Sequence, residues 1–132
     1  MAYHIVALDE IEPHPSHECD RRTLANAVDL DHVGMSVYTA EPGEQIPQHY
    51  HLHETQEELF YVLEGTMHVE TPDRTYEVTA DEVFVVEPGN YHRTFNPSDA
   101  RDPLRVVAVS GPNVTDGRLH PDDPAAADQE PN

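Results

Sequence analysis

Short apolar segments closed by turn residues fill the middle of the chain, and this pattern limits the folds that it can adopt. About eight segments rich in Val, Leu, Phe, Tyr and Thr follow one another between residues 33 and 110. Gly, Pro, Asn and Asp separate them, as in Glu41-Pro42-Gly43 and Pro88-Gly89-Asn90, and such residues mark turns. No helical period is long enough to cover a parallel sheet. The pattern therefore predicts an all-β fold, an antiparallel sandwich or barrel.

The predicted strands share a short length and a strong content of β-branched and aromatic residues. They are 33–40, 48–53, 58–63, 67–71, 75–79, 83–87, 91–95 and 104–110. Several are apolar on both faces, so one face would line the barrel and the other would pack on a second sheet or a second subunit. We expect an apolar cavity lined by Phe60, Val62, Val83, Val85 and Phe95.

The two flanking regions have weaker patterns. Residues 3–8 predict a short strand, and residues 23–28 fit either one or two helical turns or a short strand. From residue 112 onward large apolar side chains are almost absent, which predicts a mobile tail. The predicted organisation is an N-terminal strand and irregular arm over 1–32, a barrel over 33–111, and an acidic, proline-rich tail over 112–132.

The charge balance is extreme and excludes some partners. The chain has 26 acidic residues against seven arginines, no lysine, and a formal net charge of −19. Such a charge disfavours nucleic acid and anionic membranes. At roughly 1 M salt the Debye length is about 3 Å, which would remove most self-repulsion. We therefore hypothesise a halophilic source, and full stability in low-salt buffer would contradict this.

Two further features bear on location. No basic segment followed by an apolar stretch opens the sequence, and no apolar run approaches the ~20 residues that cross a bilayer. A single cysteine, Cys19, cannot form an intrachain disulfide. We expect a cytoplasmic protein.

Histidines cluster on one predicted strand. Of the ten in the chain, His49, His51 and His53 alternate along it. Residues i and i+2 of a strand share a face with Cα atoms about 6.6 Å apart, so two adjacent imidazoles can bind one ion. His49 and His53 would lie roughly 13 Å apart, which makes three ligands from one extended strand difficult. Either adjacent pair can serve.

Two residues elsewhere can complete such a site. The short polar segment 54–57 is suited to reversing the chain, and it brings Glu58 to the start of the next strand, opposite the histidine pair. His92 follows the Pro88-Gly89 turn and can add a third imidazole from another strand. These residue types predict a site of nitrogen and oxygen ligands.

Together these residues resemble the two sequence motifs of the cupin superfamily. The first is present as His51-Leu52-His53, four residues, Glu58, six residues and Gly65. The second is present as Pro88-Gly-Asn-Tyr-His92, three residues and Asn96. The resemblance covers about residues 33 to 110.

The resemblance implies a fold, an assembly and a ligand set. The fold would be an antiparallel double-stranded β-helix, or jelly-roll barrel, often paired as a homodimer through sheet faces. The implied metal ligands are His51, His53, Glu58 and His92. The family glycine that precedes the first ligand is here Gly43, whose spacing fits His49, so a His49/His51 pair remains an alternative.

Three imidazoles and one carboxylate suit Fe, Mn, Ni, Co or Zn as a divalent ion. Four protein ligands fill a tetrahedral shell, whereas a six-coordinate ion keeps two positions for a small-molecule substrate. We expect a small-molecule metalloenzyme, with dioxygenase chemistry favoured over lyase or isomerase chemistry. The alternatives are a non-catalytic module that binds or senses a small ligand and a structural metal site.

Other candidate residues have less specific patterns. Tyr91, beside His92, and Glu57 are candidates for proton transfer. His14, His17 and Cys19 carry zinc-binding donor types, but their spacing matches no closed four-ligand pattern.

Overall fold

The computed structural model describes residues 2–14 and 19–124. Two 3₁₀ helices, Leu8–Glu10 and Leu24–Asn26, flank the first strand. The strands are β1 (Asp20–Thr23), β2 (Gly34–Ala40), β3 (Gln45–His53), β4 (Glu57–Glu64), β5 (Thr66–Glu70), β6 (Thr75–Thr79), β7 (Val83–Val86), β8 (His92–Phe95), β9 (Leu104–Gly111) and β10 (Gly117–Leu119). None of the helices in these residues is both long and apolar enough to cross a membrane.

The strands form two five-stranded sheets. One has the order β1-β2-β9-β4-β7 and the other β10-β3-β8-β5-β6. Every strand pair is antiparallel. Side chains of both sheets, among them Ile46, Phe60, Met67 and Val106, form one buried core. The predicted antiparallel jelly-roll barrel is confirmed.

Alternation along the strands decides which apolar side chains enter the barrel. Phe60 and Val62 are buried as predicted, and β4 and β7 pair with Phe60 opposite Phe84. The prediction for Val83 and Val85 was wrong, since they lie on the outer face and are 48 % and 57 % exposed. Both faces of β7 are apolar, so periodicity alone could not show which face points inward.

Phe95 also lies outside the cavity described below. Its ring centroid is 5.6 Å from that of His68, and the guanidinium carbon of Arg93 lies 4.4 Å from it. Phe95 therefore packs beside polar side chains on β5 and β8.

The N-terminal region differs from the sequence prediction. The strand predicted over 3–8 is wrong, since Tyr3 and Ile5 are 86 % and 102 % exposed and have no strand partner. The first strand is instead β1, which pairs with β2. Its sequence is polar, which hides it from a search for apolar alternation. Arg22 of β1 donates to the carbonyls of Leu8 and Ile11 and so holds the arm.

Part of the region after residue 111 joins the second sheet. β10 pairs with the end of β3, with Gly117 opposite His53 and Leu119 opposite His51. The residues just before it, Asn113 to Asp116, line the same cavity as the histidines. The proposed division into arm, barrel and tail stays a prediction, but residues from both flanks help build the cavity.

Candidate metal centre

A cavity of about 560 Å³ contains most of the predicted site. Its walls come from β1, β2, β3, β4 and β9, together with residues before β2 and after β9. They include the apolar side chains of Leu24, Val28, Met35 and Phe60. Three of the four predicted ligands, His51, His53 and Glu58, line this cavity. His92 is buried, and its ring lies 4.6 Å from that of His51, centroid to centroid.

Three of the four predicted ligands converge through one atom each, and His53 lies against two of them. The Nε2 atoms of His51 and His53 are 3.1 Å apart, and His53 Nε2 is 3.0 Å from Glu58 Oε1. His92 Nε2 is also 3.1 Å from Glu58 Oε1. His51, Glu58 and His92 form a group whose ligand atoms all lie within 4.8 Å of one another. The strand pairing explains this, because His51 lies opposite His92 in the β3–β8 ladder.

The remaining ring nitrogens determine the tautomers. His51 Nδ1 lies 2.8 Å from the carbonyl of His49, and His92 Nδ1 lies 3.1 Å from the carbonyl of Asn90. A carbonyl oxygen can only accept, so each Nδ1 must carry the proton that it donates. In the neutral rings, Nε2 therefore presents a lone pair to the group. This is the arrangement that a metal-binding histidine requires.

The spacing of the donors fits an ion. Two donors at right angles around an ion at about 2.1 Å lie about 3.0 Å apart, whereas two at the tetrahedral angle lie about 3.4 Å apart. The distances of 3.1, 3.0 and 3.1 Å between successive donors match the right-angled case. Lone pairs held this close repel unless a proton or a cation lies between them. The donors of His51, Glu58 and His92, with His53 beside them, are therefore suited to a positively charged partner such as a divalent ion.

The pKa shifts have the same physical origin. Burial lowers the pKa of His51 to about 4, and the electrostatic effect of the neighbouring His92 ring adds to it, so the His51 ring is neutral near pH 7. Burial would raise the pKa of Glu58, but the hydrogen bonds that the His53 and His92 rings donate when Nε2 is also protonated outweigh it and lower that pKa to about 2. Burial would lower the pKa of His53, but the contacts with Glu58 and Asp116 raise it. The Glu58 carboxylate thus stays ionised and favours positive charge beside it.

Asp116 supports the group from behind His53. Its Oδ1 lies 2.8 Å from His53 Nδ1, which fixes the tautomer that leaves Nε2 unprotonated in the neutral ring. Its Oδ2 accepts hydrogen bonds from the backbone N–H groups of Thr55 and Gln56 and from the Thr55 hydroxyl. These bonds hold the pKa of Asp116 well below its usual range, against the effect of burial.

Sequence reasoning missed Asp116 because it lies in the stretch predicted to be a mobile tail. Its connection to the site consists of polar contacts across 60 or more residues of sequence, which hydrophobic periodicity does not reveal. The one local signal is Asp116-Gly117, a turn pair followed by Arg118-Leu119.

The less favoured ligand, His49, lies beside the group. Its side chain is exposed, and its Nδ1 is 3.6 Å from a carboxylate oxygen of Asp123. Its ring is not part of the group formed by His51, Glu58 and His92. His49 still contributes to the geometry through its backbone, because its carbonyl oxygen orients the His51 ring.

The two candidates for proton transfer lie away from the cavity. Glu57 is exposed on the outer side of β4. Tyr91 is half-buried and packs edge-on against His120, with ring centroids 4.7 Å apart. Neither residue lines the cavity that holds the histidines.

The second cluster is only partly described. His17 lies outside the described residues. Cys19 is buried in the core, and burial together with the charge of Glu44 raises the pKa of its thiol to about 11. The backbone N–H of His14 donates to the carbonyl of Arg21. Cys19 is therefore a protonated core thiol.

Comparisons with known proteins place this geometry in a family. The family model described as Cupin domain matches residues 36–110. The protein named Polyketide synthase CurC, from Streptomyces cyaneus, is 30% identical over 133 residues, which span 97% of this chain and 84% of that protein.

Solved structures share the fold. The polyketide cyclase RemF from Streptomyces resistomycificus has a TM-score of 0.71 and 24% identity, covering 98% of this chain and 94% of its own. The Streptomyces protein PAC13, solved with uridine, has a TM-score of 0.72 and 16% identity, covering 91% and 92%. A double-stranded β-helix protein from Klebsiella pneumoniae has a TM-score of 0.70 and 20% identity, covering 89% and 96%.

We expect Asp116→Asn to weaken binding of Co²⁺ or Zn²⁺ by about 10- to 100-fold, because it removes the charge that orients and polarises His53. Competition titration against a chelating dye measures the affinity. Asp99→Asn, in an exposed loop, makes the same change of charge away from the cavity and serves as the matched control. Equal affinity of the two variants would exclude this role for Asp116.

Proposed function

The chain belongs to the cupin family, and from this membership and its donor group we propose that it is a metal-dependent enzyme that closes a ring in a polyketide chain. The observation that carries the proposal is the 30% identity, over 97% of this chain, to a protein named as a polyketide synthase. The match spans β1 and Asp116 as well as the barrel. It therefore extends to the parts of the chain that complete the cavity.

The residues proposed to hold the ion are His51, His53, Glu58 and His92. Fe, Mn, Ni, Co and Zn all suit three imidazoles and a carboxylate. A divalent ion bound there supplies Lewis acidity that polarises a carbonyl oxygen of the substrate. An ion that accepts more than these four protein ligands would be able to take substrate oxygens as well.

Ring closure suits this cavity because it needs carbonyl activation and proton transfer but no oxidant. A C–H bond between two carbonyls gives its proton to water, and the carbanion forms a C–C bond with a third carbonyl carbon. The resulting alkoxide takes a proton back, and loss of one water molecule completes the double bond. A linear poly-β-ketone supplies all of the atoms required.

The cavity walls provide an apolar surface and a hydrogen-bond donor for ring closure. Leu24, Val28 and Phe60 give apolar surface on which a folded carbon chain can pack away from water. Tyr38 is buried in the wall, and burial raises the pKa of its hydroxyl. The phenol therefore stays protonated near neutral pH and can donate a hydrogen bond to a developing oxyanion.

The test is conversion of a synthetic poly-β-ketone thioester by metal-loaded protein, followed by mass spectrometry and an oxygen electrode. We expect a product lighter by one water molecule, no dioxygen uptake, and loss of at least about 100-fold in rate in His92→Ala. His4→Ala, which changes an exposed histidine of the N-terminal arm, should retain the rate.

Other outcomes discriminate between the candidate functions. Dioxygen uptake with an oxygenated product would contradict ring closure and support the dioxygenase chemistry predicted from sequence. Saturable binding of the thioester without conversion would contradict catalysis and support a ligand-binding module.

We also propose that two copies pair through the outer apolar patch, defined as Leu59, Tyr61, Leu63, Val83 and Val85 on β4 and β7. These side chains are 37–57 % exposed, and exposed apolar patches of adjacent residues mark interaction sites. Chains with a net charge of −19 repel each other. The patch has no charged side chain of its own, so it is a surface on which two such chains can meet.

Val85→Glu should convert the dimer to a monomer, because it places carboxylates at the proposed contact. Size-exclusion chromatography with light scattering in high salt should give twice the chain mass of 14.9 kDa for the wild type. Ile5→Glu, at a fully exposed apolar residue outside the patch, is the control. A monomeric wild type, or a Val85→Glu protein that remains dimeric, would contradict the pairing.

A further inference from the structure

We propose that a polar notch in the cavity wall, formed by Gly34, Ser110 and Asn113, binds one neutral hydroxyl group of the substrate. The preference of the notch for a hydroxyl group follows from its own atoms. That this group is the enol hydroxyl of a β-diketone unit rests on the proposed function.

The notch lies in the same row of the sheet as the metal group. Gly34 of β2 is opposite Ser110 of β9, and Ser110 is opposite Glu58 of β4. Cross-strand partners share a face of the sheet, and these three residues and Asn113 all line the cavity. Two strand spacings, about 10 Å, separate the Cα atoms of Gly34 and Glu58. A ligand with several oxygens along a chain can therefore reach the metal group and the notch together.

The notch exists because residue 34 has no side chain. A Cβ there would lie 3.3 Å from Ser110 Oγ and 3.3 Å from Asn113 Oδ1, which is closer than an ordinary contact. The φ of Gly34 is not positive, so its backbone conformation does not itself require glycine. Glycine weakens a strand and often marks a place where another group approaches closely. Its missing side chain leaves room beside two oxygens.

Hydrogen bonds within the protein orient Asn113. Its side-chain nitrogen donates to the carbonyl of Leu30 at 2.6 Å, and its backbone N–H donates to the carbonyl of Asp31 at 3.3 Å. A carbonyl oxygen only accepts, so the amide nitrogen faces Leu30 and the amide oxygen faces the notch. Within residues 2–14 and 19–124, neither Asn113 Oδ1 nor Ser110 Oγ has a hydrogen-bond partner. Both oxygens are therefore open to a ligand.

The two oxygens differ in the partners that they require. Asn113 Oδ1 only accepts a hydrogen bond, whereas the Ser110 hydroxyl both donates and accepts. A hydroxyl group of the ligand satisfies both, because it donates to Asn113 and accepts from Ser110. A carbonyl oxygen would face Asn113 Oδ1 with a second acceptor, and an ammonium group would lie near a divalent ion of like charge. The notch is therefore selective for a neutral hydroxyl group.

An enol hydroxyl fits the ring-closing reaction. The carbon between two carbonyls becomes nucleophilic when its diketone unit enolises, and the enol has a hydroxyl group on the adjacent carbon. Binding of that hydroxyl at the notch shifts the equilibrium from the diketone to the enol. Ser110 and Asn113 are thus assigned as substrate-binding residues that select the reactive tautomer.

The test is isothermal titration of the metal-loaded protein with 3-hydroxyacetophenone and with acetophenone. The first probe has a phenolic hydroxyl in place of the enol, and the second lacks it. Both are neutral near pH 7 and have the same carbonyl group. We expect the wild type to bind 3-hydroxyacetophenone about 10-fold more tightly, the ratio expected of one or two net hydrogen bonds.

Two variants disrupt the notch in different ways. Ser110→Ala removes the donor, and Gly34→Ala places a methyl group against both oxygens. Each should reduce the preference for 3-hydroxyacetophenone to about 3-fold or less, with the affinity for acetophenone unchanged. Ser98→Ala, in an exposed turn, is the matched control and should keep the wild-type preference. If Gly34→Ala does not fold with its metal, Ser110→Ala provides the test by itself.

Three results would overturn the assignment, even if the protein closes polyketide rings. They are no binding of 3-hydroxyacetophenone, equal affinity of the wild type for the two ketones, and a preference that both notch variants keep. A preference lost in the variants, with no ring closure by the wild type, would support the notch and contradict the proposed function. The two claims can therefore fail separately.

Discussion

The site depends on the close approach of three imidazole nitrogens and one carboxylate oxygen. Successive donors lie 3.0–3.1 Å apart, and the backbone carbonyls behind His51 and His92 require that each Nδ1 be the donor. The lone pairs thus face one another, and positive charge between them is needed to make the arrangement favourable. The structure around the group maintains this geometry, since Asp116 orients His53 in the same way and is itself fixed by three hydrogen bonds from Thr55 and Gln56.

The flanking segments matter because they complete the cavity beside this donor group. The barrel supplies the four proposed ligands, but the cavity beside them is completed by β1, by the residues before β2 and by residues 113–117. These segments contribute Arg21, apolar side chains such as Leu24 and Val28, and Asp116. The barrel therefore provides the donor group, whereas the flanks give the cavity part of its apolar wall and the carboxylate behind His53.

Sequence reasoning predicted the parts of the molecule whose signals are local. Strand alternation located the eight central strands, and turn chemistry located their ends. Gly65, between β4 and β5, shows why turn residues mark the ends of strands. It has a φ of 82°, and a Cβ there would lie 2.6 Å from the carbonyl oxygen of Pro103. Features set by tertiary contact escaped prediction. The strand β1 is polar, so apolar alternation does not reveal it. Asp116 contacts His53, which lies 63 residues away in the sequence. Val83 and Val85 belong to a strand that is apolar on both faces, so the side that points inward depends on pairing with β4.

The most direct test of the central claim is metal content by mass spectrometry, after purification in high salt and reloading with a divalent ion. The account predicts about one ion per chain in the wild type, retained in His49→Ala and lost in both His51→Ala and His92→Ala. A wild type that takes up no ion, or an ion retained in both the His51 and His92 variants, would contradict it.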